Sequence, residues 1–451
     1  MKFRVHAFAT FLVLLTSSAL GQDQSVSNLT LGPYLYETKP DDPVFTKFYP
    51  RKTPPVGPML LRKGDRLAII GDSITEQKKY SRIIETYLTV CWPELEITAR
   101  QYGWSGEKTD GFLRRMDRDC LPFDPTVATL CYGMNDSRYR PFDVNNGNWY
   151  RDHYTGVVRK LKAAGARVVV GSPGCAGKIA SWVKSKSGTL DEHNLHLCAL
   201  RDIALGVAES ENVRFADIFW PMYQANFSAP KKYASSRDEP YLVAGTDGIH
   251  PGWAGHVMMA YAFLNAMGID GKIGEFVIDL ESGNATASDG HQVDSTSDGV
   301  VRITSSRYPF CAKGPIDDDD SIRSGMTLVP FHEQLNRFVL KVKGAKSKRV
   351  KVKWGGVSKE FDAATLADGI HLAAEFPTNP FTESFTRVDE AVAKKQEFET
   401  HQIKRVFHGK EGRKDFEAAV KKTEAQRQPL AYAIASAMQP VSHQFTITLV
   451  E

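Results

Sequence analysis

The chain has little of several things that would mark a specialised class. Its six cysteines, Cys91, Cys120, Cys131, Cys175, Cys198 and Cys311, are too sparse over 451 residues for a disulfide scaffold. No two form a Cys-x-x-Cys pair, so the cysteines support neither a zinc ribbon nor a thioredoxin-like site. Charge of one sign is also scarce. A formal net charge of +4 makes no case for a nucleic-acid surface. No segment approaches the roughly 20 consecutive apolar residues that a membrane span requires. No repeat of useful length relates one half of the chain to the other.

What is present is globular. Hydrophobic residues make up 42% of the chain and charged residues 24%, which excludes a disordered or fibrous polymer. A chain of 451 residues exceeds one ordinary core, so two domains are expected. Residues 1–21 read as a secretory signal peptide. Lys2 and Arg4 form its basic start, residues 7–15 its apolar centre, and Ala19-Leu20-Gly21 a small-x-small cleavage site. Its removal takes the formal charge from +4 to +2. No cysteine follows the cleavage site to carry a lipid anchor. The mature protein is then expected to be secreted or periplasmic. Cys131 lies in an apolar run and is expected to be a buried free thiol.

Residues 22–62 contain seven prolines, at positions 33, 40, 43, 50, 54, 55 and 58. So many fixed φ angles and missing donors disfavour a helix or a central strand. The segment reads as an extended arm laid over the domain that follows. From residue 63 strands and helices alternate. Strands are predicted at 66–71, 95–100, 126–132, 166–171 and 213–217, and helices at 76–90, 109–118, 150–163, 190–209 and 253–267. Such alternation implies a parallel sheet with helices on both faces and right-handed crossovers, a three-layer α/β/α sandwich. The character changes near residue 273. Strands are predicted at 276–280, 300–304, 338–342, 350–354 and 445–450, with a helix-prone stretch at 386–436. Residues 63–272 thus form one domain in this reading, and residues 273–451 a mixed α+β accessory domain.

Four short segments carry the chemistry. Ser73 follows an apolar run in Leu67-Ala68-Ile69-Ile70-Gly71-Asp72-Ser73-Ile74-Thr75, which reads as a buried parallel strand entering a tight turn. Gly103-Trp104-Ser105-Gly106 follows the second strand, and Gly133-Met134-Asn135-Asp136 the third. Open α/β sheets place their chemistry at this carboxyl edge. Asp247-Gly248-Ile249-His250-Pro251 precedes the last helix of the domain, in a loop able to reach the same edge. The residue types suit acyl transfer. A serine hydroxyl needs a base, which His250 supplies near neutral pH. Asp247 can hold the imidazole tautomer. The backbone N–H groups of Ser73 and Gly106 and the side-chain amide of Asn135 can stabilise an oxyanion, each donor typically worth ~3–4 kcal/mol.

These segments resemble the signature blocks of the GDSL, or SGNH, hydrolase superfamily. Gly71-Asp72-Ser73 matches the block that supplies the serine. Gly106, in Trp104-Ser105-Gly106-Glu107-Lys108-Thr109, best matches the oxyanion glycine, with Gly103 as the alternative. Gly133 to Asp136 matches Gly-x-Asn-Asp, and Asp247 to His250 matches Asp-x-x-His. The resemblance spans about residues 65–270. It implies a flavodoxin-like α/β/α core, ester hydrolysis by Ser73, Asp247 and His250, an oxyanion hole of Ser73, Gly106 and Asn135, and no metal or organic cofactor. Ile74 replaces the leucine of the family name, and the asparagine often found just before the second-block glycine is missing. Thr75 stands where Gly-x-Ser-x-Gly would need a glycine, which argues against the α/β-hydrolase elbow.

Other strings have plainer readings. Asp368-Gly369-Ile370-His371 repeats the Asp-Gly-Ile-His sequence but lacks the Pro-Gly step into a helix, so it reads as a decoy. His256 is expected to pack on the core. The four acids at 317–320 lack the glycine and spaced oxygens of a calcium loop and read as a solvated loop. Seven basic residues between 341 and 353 alternate with Val342, Val350 and Val352, as one solvated face of a hairpin would. Asp72 is read as structural.

Loops at 137–149 and 219–246 carry Tyr139, Trp149, Trp220, Tyr223, Tyr233 and Tyr241 with Arg138 and Arg140. Rings with polar flanks suit sugar faces better than acyl chains. The expected protein is a secreted serine esterase acting on a small acyl ester or an acylated polysaccharide, with no nucleic-acid partner and no membrane span. The alternatives are a glycan-binding protein on an inactive SGNH scaffold, and an O-acyltransferase using the same residues. Oligomeric state is left open.

Overall fold

A computed structural model describes residues 34–183 and 188–450. The predicted signal segment lies outside the described residues. The described part of the arm, from residue 34, runs over the first unit. Phe45 and Phe48 are buried, the ring of Phe45 5.7 Å from Trp220 and that of Phe48 4.4 Å from Tyr223. Arg51 N–H donates to Asp202, and its guanidinium to Glu209.

Five strands carry the first unit. β1 (Arg66–Gly71), β2 (Thr98–Gln101), β3 (Val127–Cys131), β4 (Arg167–Gly171) and β5 (Arg214–Ala216) pair in the order β2-β1-β3-β4-β5, all parallel. The interior strands are covered on both faces, which is why they read as continuous apolar runs. Their side chains still alternate. Ile69, Val127 and Val169 enter one core and Ile70, Leu130 and Val170 the other.

The helices of this unit are α1 (Ser73–Glu76), α2 (Lys79–Cys91), α3 (Thr109–Asp119), α4 (Val144–Ala163), α5 (Leu190–Ser210), α6 (Phe219–Tyr233) and α7 (Trp253–Ala266). α2 and α7 supply the first core, α3 and α4 the second. The result is the predicted α/β/α sandwich. Strand order reverses between β1 and β3, and the crevice at the carboxyl ends beside such a reversal is where open α/β sheets bind ligands.

The second strand starts at Thr98 rather than residue 95 and α4 at Val144 rather than residue 150. Two departures from the sequence reading are larger. The helix predicted at 76–90 begins twice, because Lys78 adopts a left-handed φ of 59° between α1 and α2. The stretch 219–246, expected as a loop, is helical over α6. Pro221 is tolerated there because it lies in the first turn, where N–H groups have no helical acceptor. All six cysteines are buried free thiols. Burial pushes the thiols of Cys120, Cys175 and Cys311 up to about 12.

The second unit begins directly after α7 and contains two sheets. β6 (Lys272–Asp279), β7 (Asn284–Ala287), β10 (Arg337–Lys343) and β13 (Ile370–His371) form one, in the order β13-β10-β6-β7. β8 (His291–Ser297), β9 (Val300–Ser305), β11 (Arg349–Trp354), β12 (Val357–Asp362) and β14 (Val441–Val450) form the other, in the order β12-β11-β14-β9-β8. Phe276, Phe338, Trp354, Phe381 and Phe445 pack together, with Phe276 and Phe338 rings 5.0 Å apart. The basic run at 341–353 is therefore not one hairpin. β10 and β11 belong to different sheets, and residues 344–348 cross between them. Alternation within each strand was compatible with either arrangement. On β11, Arg349 and Lys351 pair with Asp362 and Glu360 of β12.

The helix-prone stretch becomes two long helices, α8 (Thr382–His401) and α9 (Phe416–Ala437). They return to the first unit and close the outer edge of β2. Lys395 Nζ and the Arg427 guanidinium donate to Ala99 O at 2.6 and 3.1 Å, and Gln101 N–H donates to Glu399 Oε2 at 3.1 Å. Charged side chains thus replace a neighbouring strand on an edge that would otherwise be left unpaired. Lys395, 1% exposed, also pairs with Glu85 and Glu399. Burial works to raise the Glu399 carboxyl, but Lys395, Arg427 and Arg100 outweigh it and hold it low. Among the described residues no helix is long and apolar enough to cross a membrane.

Removing one partner from such a cluster strands buried charge, at a cost of about 3–5 kcal/mol. Lys395→Met should lower the unfolding free energy measured in urea by that order, and a Lys395→Met/Glu399→Gln double variant should lose less than the sum of the two single changes.

Candidate active site

Gly71 ends β1 because a Cβ there would lie 2.1 Å from Thr75 Oγ1 and 2.7 Å from Cys131 O. Asp72 then caps α1, its Oδ1 accepting from Ile74 N–H at 2.9 Å. This delivers Ser73 to the first position of a helical turn at the carboxyl edge of the sheet. Ser73 Oγ lies 2.8 Å from His250 Nε2, and His250 Nδ1 lies 2.7 Å from Asp247 Oδ2. A carboxylate can only accept, so Nδ1 carries the proton and Nε2 is left to accept from the serine hydroxyl. Asp247 Oδ1 accepts from the N–H groups of Ile249 and His250, both at 2.8 Å. Burial would raise the Asp247 carboxyl, but these N–H groups and the His250 ring hold it below the usual range. Gly248 closes this loop at φ +81°, where a Cβ would lie 2.6 Å from Lys178 N.

Gly106 has φ +73° and nothing within 4 Å of its Cβ position. Among the described residues neither its N–H nor that of Ser73 has an acceptor. Gly103, the alternative, is used differently, since a Cβ there would lie 2.2 Å from Glu76 N. It lets the second strand's loop pack backbone to backbone on α1. Asn135 Nδ2 makes only long contacts, 3.3 Å to Asp72 Oδ2 and 3.2 Å to Glu107 O. Its carbonyl accepts from Tyr139 OH at 2.8 Å, which orients the amide.

Beneath these groups lie buried carboxyls. Asp136 accepts from Thr109 N–H and hydroxyl and from Gly133 N–H, at 2.9, 2.7 and 3.0 Å. It ties the start of α3 to the turn after β3. Burial raises Asp136 to about 6 despite those donors. Burial raises Asp72 to about 7, with the charges of Asp136 and Glu107 adding to the effect against the Ile74 N–H.

Tyr139 has a role that the sequence reading missed. It and Arg138 both take φ 54°, a strained conformation for bulky residues that persists only where the surroundings impose it. The turn aims the phenol at Asn135. The only sequence signal is its place four residues after Asn135. Trp182 was also missed. It is 43% exposed, with its ring 5.6 Å from His250 and 6.3 Å from Tyr139.

The other loop aromatics are elsewhere. Trp220, Tyr223, Tyr233 and Tyr241 are buried in the core, and Trp149 stands on α4 with Arg138 over its ring at 5.4 Å. His256 is buried, with Nε2 2.8 Å from Gln77 Oε1. Of the repeated string at 368–371, Ile370 and His371 form β13 against β10. The acidic run is not simply solvated. Asp320 Oδ1 accepts from Trp253 N–H, and Asp319 O from Ala254 N–H, so the run caps α7 just after His250.

With this geometry in hand, residues 69–258 match the model of the GDSL-like lipase/acylhydrolase family. The match falls on the first unit, whose parallel sheet and flanking helices are those of the SGNH α/β/α fold. An acetylxylan esterase from Geobacillus stearothermophilus is 25% identical over 238 residues, 47% of this chain and 98% of that one. A solved gut microbial diltiazem-metabolizing enzyme superposes with a TM-score of 0.67 at 22% identity, over 87% of this chain and all of the other. That likeness concerns the fold, and it extends into the second unit.

His196 supports the Tyr139 loop from α5, donating from Nδ1 to Arg140 O at 2.8 Å and accepting from Asn146 at Nε2. Burial lowers it from 6.5 to about 4. The unfolded chain therefore binds a proton that the folded chain refuses between those values. The stability it contributes is complete above pH 6.5 and lost as pH falls toward 4, up to about 3 kcal/mol. Asp72 and Asp136 have raised values and slope the other way, so the prediction is a difference. The stability deficit of His196→Asn against the parent should shrink as pH falls from 6.5 to 4, measured by urea unfolding at each pH.

Proposed function

We propose that the protein is an exported serine esterase that removes acyl groups, acetyl above all, from carbohydrate esters through an acyl-enzyme. The observation that carries this reading is the unbroken line from Asp247 through His250 to Ser73 Oγ, with contacts of 2.7 and 2.8 Å, beside a Gly106 N–H that has no acceptor among the described residues.

The chemistry follows from the atoms. Ser73 Oγ attacks the ester carbonyl as His250 Nε2 takes its proton. Asp247, held by two backbone N–H groups, stays ionised and stabilises the imidazolium. The carbonyl oxygen becomes negative and receives the N–H groups of Ser73 and Gly106 and the Asn135 amide. The long existing contacts of that amide leave it little to give up. His250 then returns the proton to the departing sugar oxygen. Water repeats the cycle against acyl-Ser73 and releases the free acid.

The carbohydrate part of the proposal draws on the acetylxylan esterase relative and on the half-exposed Trp182, whose ring stands 5.6 Å from His250 with Tyr139 packed edge-on against it and suits a sugar face. Export rests on the sequence pattern of residues 1–21 alone.

Ser73→Ala should abolish hydrolysis of p-nitrophenyl acetate, with kcat falling on the order of 10⁶-fold, while Asn135→Ala should lower kcat by about 10²–10³-fold. Acetylated xylo-oligosaccharides should be better substrates than butyryl or octanoyl esters, with free acetate as the product even in the presence of a sugar acceptor. Full activity in Ser73→Ala, or saturable glycan binding with no turnover, would remove the proposal.

A further inference from the structure

One ion pair beside the site belongs to neither the Ser73–His250–Asp247 line nor the buried carboxyls. Glu76 ends α1, three residues after Ser73. Its Oε2 accepts from Ser105 N–H at 2.5 Å and from Ser105 Oγ at 2.6 Å. Its two oxygens receive Lys404 Nζ at 2.7 and 2.9 Å. Ser105 immediately precedes Gly106 in an exposed turn. The remaining backbone ties of that turn are Trp104 N–H to Gly71 O and Glu107 N–H to Trp104 O, both at 3.1 Å.

Lys404 lies 328 residues further along the chain, in the π-helical segment Gln402–Phe407 that follows α8. Its ammonium also stands 5.2 Å from the Trp104 ring. The side chains of Lys404 and Glu76 are 23% and 19% exposed, so solvent screens this pair less than a surface pair. Burial alone would raise the Glu76 carboxyl. Lys404 and Ser105 outweigh it and hold it low. Glu76 therefore stays ionised as a double acceptor for Ser105, and Lys404 keeps it from turning to water. The second unit reaches the other side of the site as well, where Asp319 and Asp320 cap α7 after His250.

We propose that Lys404 is a positioning residue for ester hydrolysis, acting through Glu76 and Ser105 to hold the Gly106 N–H where the oxyanion forms. This rests on the esterase reading above. It makes the second unit part of the catalytic geometry. An interaction that matters only as negative charge develops acts on kcat more than on KM.

The test uses the full-length protein. Lys404→Met should lower kcat for p-nitrophenyl acetate about 10- to 100-fold, less than loss of a whole oxyanion donor, with KM within about twofold. Lys404→Arg should restore most of the rate, since the charge and its reach are kept. Hydrogen–deuterium exchange of residues 102–108 should rise in Lys404→Met and return in Lys404→Arg, while β6 and β10 exchange as in the parent. Unchanged kcat and unchanged exchange in Lys404→Met would overturn the proposal. So would a rate loss accompanied by faster exchange across β6 and β10, which is general loosening. Failure of the esterase reading looks different, because Ser73→Ala would then match the parent while the exchange arm still reports whether Lys404 holds the turn.

Discussion

An edge strand cannot be buried with its backbone unpaired, and the outer edge of β2 is buried. Ala99 O and Gln101 N–H both face outward, and among the described residues no strand lies beside them. Lys395, Arg427 and Glu399 take the place of that strand with charged hydrogen bonds. The remaining geometry of the two units follows from this closure. Because α8 must lie along β2 and α2, the segment after it passes the turn at Ser105 and Gly106, and Lys404 meets Glu76 there. The second unit also meets the first at a separate place, where its loop at 317–320 caps the start of α7. Burying charge is costly, so the closure works only with all partners present. That condition makes the docking specific.

Inside the first unit the same logic sets the site. Three strand ends project separate loops, and something must hold them at a fixed spacing. Asp136 does so for the second and third, accepting from Thr109 and Gly133 together. Asp72 joins the first to the third by accepting from Ile74 N–H and lying against the Asn135 amide. Both carboxyls are raised by burial, so stability is given up at neutral pH for a rigid floor beneath Ser73. The left-handed Arg138 and Tyr139 are a second local cost at the same place. Strain and raised carboxyls gathered under one serine are what a preorganised site requires.

Much of this was legible from the chain. The five parallel strands announce themselves as apolar runs because each is covered on both faces. Ser73, Asn135, Asp247 and His250 stand at strand ends or in a loop with recognisable neighbours, and the structure brings Ser73, Asp247 and His250 into hydrogen-bond contact. Legibility failed where local pattern was compatible with more than one tertiary answer. α6 was hidden because Pro221 and Pro230 look like loop residues, and its aromatics then seemed available to a substrate. Alternating strands at 337–343 and 349–354 resemble a hairpin whether or not they pair. The acids at 317–320 look solvated until α7 is placed against them. Tyr139 and Trp182 have ordinary sequence surroundings, and only the fold puts them beside Asn135 and His250.

The sequence by itself determined the α/β/α class, the strand ends and the residue types of acyl-transfer chemistry. Those depend on short-range facts: which side chains prefer water, where glycine permits a turn, and which groups can accept or hold a proton. Tertiary structure decided which donor serves which acceptor across hundreds of residues. It left the Gly106 N–H without an acceptor among the described residues while packing Gly103 on α1, set Tyr139 against Asn135, and led Lys404 to Glu76. The first two are set by how the loops of the first unit pack, and the last by how two units close around a buried strand edge, a closure that no local pattern encodes.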